Sequence, residues 1–272
     1  MRGKFTEQDT EAFYDAEDAV YRSFWDNNGS LHWGYFDQST GKDFLKACAN
    51  LNDIMANMAS ITDDSNVLDM GCGNGTTAVW LSRSRGCNVV GIDLSGIRVT
   101  NAKEALRSEP EEVKSRIAFE KASATSLPFP DRTFSHVWTQ ATIYHIHDKT
   151  AAWDEAYRVL APGGTLVFDD LLKPKRDISE AARTHVYDRL LFDTDFSFQS
   201  YQDALCTAGF KVVRSQDLSQ HLRTSYQCLA ETTEKLVAQG SESFKHLAIA
   251  YRQMVQAVEN KELGWGLYLC QK

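Results

Sequence analysis

This chain of 272 residues is short of several things, and each shortage closes off a class of protein. No apolar run approaches the ~20 residues that span a bilayer, so membrane insertion is not expected. The opening residues, MRGKFTEQDT, lack the apolar core of a secretory signal. The six cysteines (Cys48, Cys72, Cys87, Cys206, Cys228 and Cys270) are scattered, with no C-x-x-C pair and no His/Cys cluster at zinc spacing. That pattern reads as reduced thiols in the cytoplasm and as no metal site. An excess of positive charge is missing too. With 29 Lys and Arg against 37 Asp and Glu, the net charge is −8, which gives no general attraction to nucleic acid or an anionic membrane. Repeats, low-complexity tracts and Pro/Ser/Gly linkers are absent, which favours one domain over 1–272, as a monomer or homodimer.

What is present is ordinary globular composition, 43% apolar and 24% charged, arranged as an alternation of short strands and helices. Residues 5–37 are dense in aromatics, and 43–59 have helical spacing. A strand over 67–70 runs through a glycine turn into a helix from about 76 to 85. Strands follow at 88–93, 116–121, 134–139 and 165–170. Ser95 is placed to cap the helix after the second strand. A helix over 148–160 stops at Pro162-Gly163-Gly164. The pattern then changes: an inserted helix over 178–192, a helix over 199–208 ended by Gly209, a strand over 210–217, two helices within 220–260 broken near Gly240, and a last strand over 264–272. Strands alternating with helices imply a parallel sheet covered on both faces, with right-handed crossovers.

The strongest local signal is VLDMGCGNGTTA (67–78). Gly71, Gly73 and Gly75 stand where a strand turns sharply into a helix, and glycine permits the positive φ and close backbone approach that a bound cofactor needs. Asp93 ends the next strand, 18 residues after Gly75, where a carboxylate can accept from both hydroxyls of a ribose. A tight turn without ligand and a dinucleotide site are competing readings. Thr76 where a dinucleotide fingerprint has its last glycine, and Asp69 two residues before the first, lean away from NAD.

With these residues in view, the sequence resembles class I S-adenosylmethionine-dependent methyltransferases over most of residues 10–170 and the end of the chain. LDMGCGNG matches the family's LDxGxGxG. GIDLS (91–95) resembles its second motif, SLPFPDRTFSHV (126–137) its LPFxDxxFDxV, and RVLAPGG (158–164) its RVLKPGG. FYDAEDAVYRSFWDNNGSLHWGYFD (13–37) resembles the segment that folds as a lid over the cofactor in several small-molecule groups. These are sarcosine/dimethylglycine and phosphoethanolamine N-methyltransferases, tocopherol-type C-methyltransferases and cyclopropane synthases. WTQATIYHIHDK (138–149) is most similar to the N-methylating members, which carry W-S-Q-D-A-x-L-H there. Two positions depart from the family. Its Asp for the adenine amine is Ser123 here, within Ala122-Ser123-Ala124, leaving a neutral acceptor or the backbone at Ala124 and Thr125. Its Asp in W-S-Q-D-A, which helps hold the acceptor amine, is Ala141.

The resemblance implies an α/β, Rossmann-like, doubly wound fold: a mostly parallel seven-stranded sheet with helices on both faces. It implies a lid over 1–45, a cofactor core over 46–175, and cap helices with the last strands over 176–272. The implied cofactor is S-adenosylmethionine, leaving as S-adenosylhomocysteine. Its site would be made by Asp69, Gly71, Gly73, Gly75, Asp93, Leu94, Ser123, Ala124, Gln140, Tyr14 and Tyr21. The implied reaction is in-line displacement onto a small-molecule acceptor, most simply the nitrogen of a small amine or amino acid. Alignment at near-attack distance can supply roughly 7–11 kcal/mol. A nucleophile that arrives protonated also needs a base. The candidate is His145, at the crevice edge of the fourth strand. The matching histidine of the phosphoethanolamine enzymes pairs with a lid tyrosine; Tyr21 fits that position best, with Tyr14 as a second lid tyrosine.

Other residues carry weaker readings. His147 flanks the next helix, and His32 matches a position near the cofactor. Asp169 and Asp170 either bind a polar acceptor or are solvated. The aromatics of 13–36 form either a cage for a cationic substrate or lid packing. Rival functions stay open: C- or O-methylation of an isoprenoid or phenol, a cyclase that keeps the cofactor without methyl transfer, or an NAD(P)-dependent oxidoreductase. Nucleic-acid methylation is disfavoured by the acidic charge and by the lack of a DPPY-type tetrapeptide after the fourth strand.

Overall fold

The computed structural model describes residues 5–192 and 194–272; the expectation of no apolar leader at residues 1–4 lies outside them. A capping box at Thr6 and Asp9 starts α1 (Glu7–Arg22). An irregular stretch then leads to α2 (Phe44–Met58), capped by Asp43. The alternation follows: β1 (Asn66–Met70), α3 (Thr76–Arg85), β2 (Asn88–Asp93), α4 (Gly96–Arg107), the single turn α5 (Glu111–Lys114), β3 (Ile117–Lys121), β4 (Phe134–Thr139), α6 (Lys149–Val159) and β5 (Leu160–Leu172). Ser95 caps α4 through the Arg98 N–H, as its position predicted.

The second half adds a short turn α7 (Glu180–Ala182), α8 (Phe198–Thr207), β6 (Lys211–Asp217), the hairpin α9 (Ser219–Ala238) and α10 (Lys245–Glu259), and β7 (Gly264–Gln271). The inserted helix expected over 178–192 is formed only over 180–188 and is not α-helical throughout. After α7 the chain passes into a π-helical segment, Arg183–Asp188. Tertiary contacts outweigh local periodicity there: the Tyr187 hydroxyl donates to the Glu262 carbonyl at 2.6 Å, and its ring stacks on Phe192. β5 also begins earlier than expected, running through Pro162-Gly163-Gly164 with a register irregularity against β4.

The seven strands lie in the order β3-β2-β1-β4-β5-β7-β6. β7 pairs antiparallel with β5 and β6, and the other neighbouring pairs are parallel. Two apolar cores result, one on each face. Trp138, Val167, Leu171 and Trp265 point into the first, beneath the α9–α10 hairpin and the N-terminal segment. Val137, Leu166, Phe168 and Tyr268 point into the second, beneath α6 and α8. The chain reverses direction across the sheet between β1 and β4, which opens a crevice at their C-terminal ends. Among the described residues, no helix is long and apolar enough to cross a membrane.

Candidate active site

A cavity occupies that crevice, floored by the glycine loop and roofed by α1. The floor is set by backbone. The N–H groups of Gly71 and Cys72 both donate to the Ile92 carbonyl, at 2.8 and 2.9 Å, so the chain turns back sharply at the end of β1. Gly71 has φ +86 and lies against Thr142, where a Cβ would strike the threonine side chain; Gly75, at φ +79, abuts Phe119 and Ala102. The Gly73 N–H donates to one Asp93 oxygen and the Ser95 N–H to the other, both at 2.9 Å. This fixes the carboxylate plane and leaves its remaining lone pairs for the cavity that Asp93 lines. Burial raises the Asp93 pKa, against the pull of Arg98 and the two N–H groups.

Asp69 also lines the cavity. Burial, then the neighbouring Asp93 charge, pushes its pKa up to about 7, and its Oδ2 has no hydrogen-bond partner among the described residues. Arg98 is the opposite case. Its guanidinium lies 3.9 Å from the Tyr14 ring centre and its Nε is 3.3 Å from Asp18, while Nη2 is buried without a partner. One cavity therefore carries an unsatisfied acidic group and an unsatisfied basic one, a match for a ligand with both an ammonium and a carboxylate.

Sequence reasoning missed Arg98. The available signal was its place in the first turn of α4, where the helix dipole disfavours a cation unless something compensates it. Asp18 was missed as well. It is 4% exposed and accepts from Asn74 in the glycine loop and from Asn101 in α4, so it ties α1 down over the site.

At the β3 end, Leu94, Ala122 and Ala124 line the cavity, while the Ser123 hydroxyl is turned to Glu7 of α1, at 2.5 Å. Thr125 donates to the same Glu7 oxygen at 3.1 Å. A carboxylate thus stands beside the Ala-Ser-Ala triplet, brought there by a residue more than a hundred positions away, which nothing local announced.

The opposite wall is the segment after β4. The side chain of Gln140 is committed to protein: Oε1 accepts from Trp138 and Thr77, and Nε2 donates to Asn52. A 3-10 turn, Ile143–His145, brings His145 inward to 7% exposure. Its Nε2 lies 2.5 Å from the Tyr14 hydroxyl, and the Tyr144 ring leans over it. Burial first, then Lys149 and Arg98, push the His145 pKa down to about 3, while burial pushes Tyr14 up to about 12. With the imidazole neutral and the phenol protonated, the two share one hydrogen bond whose donor is set by the imidazole tautomer.

Tyr14, and not Tyr21, is therefore the partner of His145. Tyr21 does not line the cavity; its ring packs with Phe24 and Trp25, and its hydroxyl accepts from Arg189 at 3.5 Å. The cation-cage reading of the N-terminal aromatics is corrected in the same way. Trp25 packs on Phe44 and Tyr251, Trp33 on Tyr226 and Trp265, and Tyr35 on His221, while the charges set among the lid tyrosines are the arginines Arg98 and Arg189. His32 lines the cavity, with Nδ1 on the Trp33 carbonyl. His147 is exposed beside the α6 cap Asp148. Asp169 and Asp170 are neither solvated nor on the cavity wall; both are fully buried.

Known proteins bear on this geometry. A family model described as a methyltransferase domain matches residues 68–168. Over 226 residues the chain is 32% identical to the 27-O-demethylrifamycin SV methyltransferase of Amycolatopsis mediterranei, covering 82% of this chain and 81% of that protein. It is 29% identical over 266 residues to the glycine/sarcosine/dimethylglycine N-methyltransferase of Actinopolyspora halophila, covering 94% of this chain but 46% of that longer protein, so it spans about half its length. The cyclopropane synthase MmaA2 of Mycobacterium tuberculosis has the same fold, with a TM-score of 0.86 at 16% identity and 100% of each chain covered. Glycine loop, the Asp93 carboxylate beside it, sheet order and this degree of identity agree, and the chain belongs to the class I S-adenosylmethionine-dependent methyltransferases that act on small molecules.

Proposed function

We propose that this enzyme methylates the nitrogen of a small amine or amino acid, held by the His145–Tyr14 pair. The observation that carries the reading is a buried neutral imidazole, hydrogen-bonded to a lid tyrosine, at the end of β4 and across the cavity from the glycine loop. When bound, S-adenosylmethionine supplies an activated methyl group on its sulfonium. The residues present fit it. Asp93 is oriented for the ribose hydroxyls, and unpaired Asp69 for an ammonium. Leu94, Ala122 and Ala124 offer an apolar slot, and Glu7, beside Ser123, an acceptor at its rim.

An amine enters mostly as ammonium and must lose that proton. The influences that lower the His145 pKa, namely burial and the charges of Lys149 and Arg98, act on a bound ammonium in the same direction. The proton therefore leaves to His145 or to water before α1 closes over the site. In the closed site, His145 and Tyr14 hold the neutral amine by hydrogen bonds and keep its lone pair aimed into the cavity. The six free cysteines and the acidic charge support a cytoplasmic enzyme that binds no nucleic acid.

A second reading, O- or C-methylation of a phenol or isoprenoid, is favoured by the apolar groups Tyr144 and Phe192 beside His145 and by the O-methyltransferase name of the relative at 32% identity. The deciding experiment supplies methyl-labelled S-adenosylmethionine with glycine, sarcosine, dimethylglycine, phosphoethanolamine, simple phenols and prenyl diphosphates, and measures S-adenosylhomocysteine. Turnover on the amines supports the proposal. Turnover on phenols or prenyl diphosphates alone replaces it with the second reading.

A further inference from the structure

Two adjacent carboxylates on β5, Asp169 and Asp170, are completely buried and have no place in the cofactor site or the proton path. Being neighbours on a strand, they point to opposite faces of the sheet. On one face, Asp169 Oδ1 accepts from the Trp265 indole at 2.9 Å and from the backbone N–H of Ala141 at 3.3 Å. On the other, Asp170 accepts from the Tyr201 hydroxyl at 2.8 Å, and the Tyr144 N–H and the Lys149 ammonium favour its charged form. Lys149 in turn donates to the carbonyls of Ile143 and Ile146, at 2.8 and 2.7 Å.

All of these backbone partners lie in one stretch, residues 141–146. It is buried, irregular, and strained at Ala141, whose φ is +50. Its 3-10 turn pairs only the His145 and Ile146 N–H groups, with the Thr142 and Ile143 carbonyls, and the other buried backbone groups must find partners elsewhere. Burying two carboxylates, only one of them beside a lysine, is an expensive way to provide partners, and apolar replacements of such groups are often neutral or stabilising. A fold selected for stability alone would not need the pair here. This stretch also carries His145 at one end, and near the other Thr142, whose hydroxyl is 3.5 Å from the Gly71 carbonyl.

We infer that Asp169 and Asp170 are a positioning pair that clamps the 141–146 segment from both faces of the sheet and so sets the His145 imidazole relative to the glycine loop. Asp169 holds the Ala141 end; Asp170, through Lys149 and the Tyr144 N–H, holds the turn that carries the ring. The inference concerns where His145 sits, and it rests on the reading of His145 as the acceptor-facing group only for its consequence in catalysis.

The test follows the His145 ring directly. In histidine-labelled protein saturated with S-adenosylhomocysteine, the His145 Cε1–H resonance is identified by its loss in His145→Gln. Asp169→Asn keeps an oxygen for Ala141 and Trp265 and should leave that resonance in place; Asp169→Ala should shift or broaden it. Asp170→Asn, which no longer matches the Lys149 charge, should move it from the other face. With whichever acceptor turns over, kcat in Asp169→Ala and Asp170→Asn should fall by about 10²-fold, the scale of an ångström-level misplacement. Affinity for S-adenosylhomocysteine should change less than about twofold. A merely structural role would lower Tm and leave the resonance where it is, and that result in both Asp169→Ala and Asp170→Asn overturns the inference. If Asp169→Ala does not fold, Asp170→Asn decides alone. If the resonance moves while His145→Ala leaves turnover intact, the clamp stands and the base assignment falls.

Discussion

The two walls of the cavity are made in opposite ways. The glycine-loop wall is backbone: Gly71, Cys72 and Gly73 direct their N–H groups to Ile92 and Asp93, and every participant lies within 23 residues. The 140–146 wall is side chains brought from afar. Tyr14 reaches His145 across 131 positions, and behind the wall Trp265 reaches Asp169 across 96. A wall built by neighbouring residues can be reused with little change. A wall built by distant side chains can be altered one residue at a time, and the names of the relatives differ in the acceptor.

If that contrast is right, substitutions should separate the two walls. The largest effect belongs to His145→Ala, expected to lower kcat by about 10²–10⁴-fold while S-adenosylhomocysteine binding measured by calorimetry stays near wild type. A parallel collapse of cofactor affinity would erase the distinction. Next, Asp93→Ala removes two oriented acceptors from a buried site. Cofactor affinity should fall about 10²-fold, and acceptor KM, read at saturating cofactor, should hold. Tyr14→Phe, which keeps the ring under Arg98 and removes the hydroxyl, should cost about tenfold in kcat, with Tyr21→Phe closer to wild type. The reverse ranking would restore Tyr21 as the partner. Glu7→Gln, partly open to solvent, should weaken cofactor binding by no more than about fivefold.

The pH dependence of stability sharpens the same comparison. Asp69 on one wall and Asp169 behind the other both have pKa values raised to about 7 by burial. A carboxyl with a raised folded-state pKa binds its proton more tightly folded than unfolded, so cofactor-free stability should fall as pH rises from the ordinary carboxyl value near 4 to about 7, and level off above it. His145, lowered to about 3, works the other way and costs stability as pH falls below its unfolded value near 6.5. Thermal melts from pH 4.5 to 8.5 should show that loss up to about pH 7 and a plateau beyond it, and Asp69→Asn should flatten part of the slope. Added S-adenosylmethionine should reduce the Asp69 share and leave that of Asp169. An Asp69→Asn profile that superimposes on wild type would mean that Asp69 is already paired.

How much of this was readable differs by residue. The alternation of strands and helices, the Ser95 cap and the placing of Asp93 at the end of the second strand were legible because each follows from a local pattern. Tyr14 and Tyr21 show where reading stops. Seven residues apart on α1, they share a helix face but lie about 10 Å apart along its axis. Periodicity gives the face; only docking decides which tyrosine meets His145. Arg98 and Lys149 left a faint trace, as cations in the first turn of α4 and α6 where the dipole opposes them. Glu7 left none, because an acidic residue in the first turn of a helix is already explained by capping.

By itself, the sequence determined the alternating architecture, the sharp turn of the glycine loop and the carboxylate facing it, since φ preferences, helix caps and apolar periodicity act over a few residues. Only the tertiary structure decided that Tyr14 holds His145, that Glu7 stands beside the Ala-Ser-Ala triplet, and that Asp169 and Asp170 clamp a buried loop instead of meeting a substrate. Those contacts form when segments a hundred residues apart are packed together and water is driven out. The same desolvation moves the pKa values of His145, Asp69 and Asp169, and no local pattern records it.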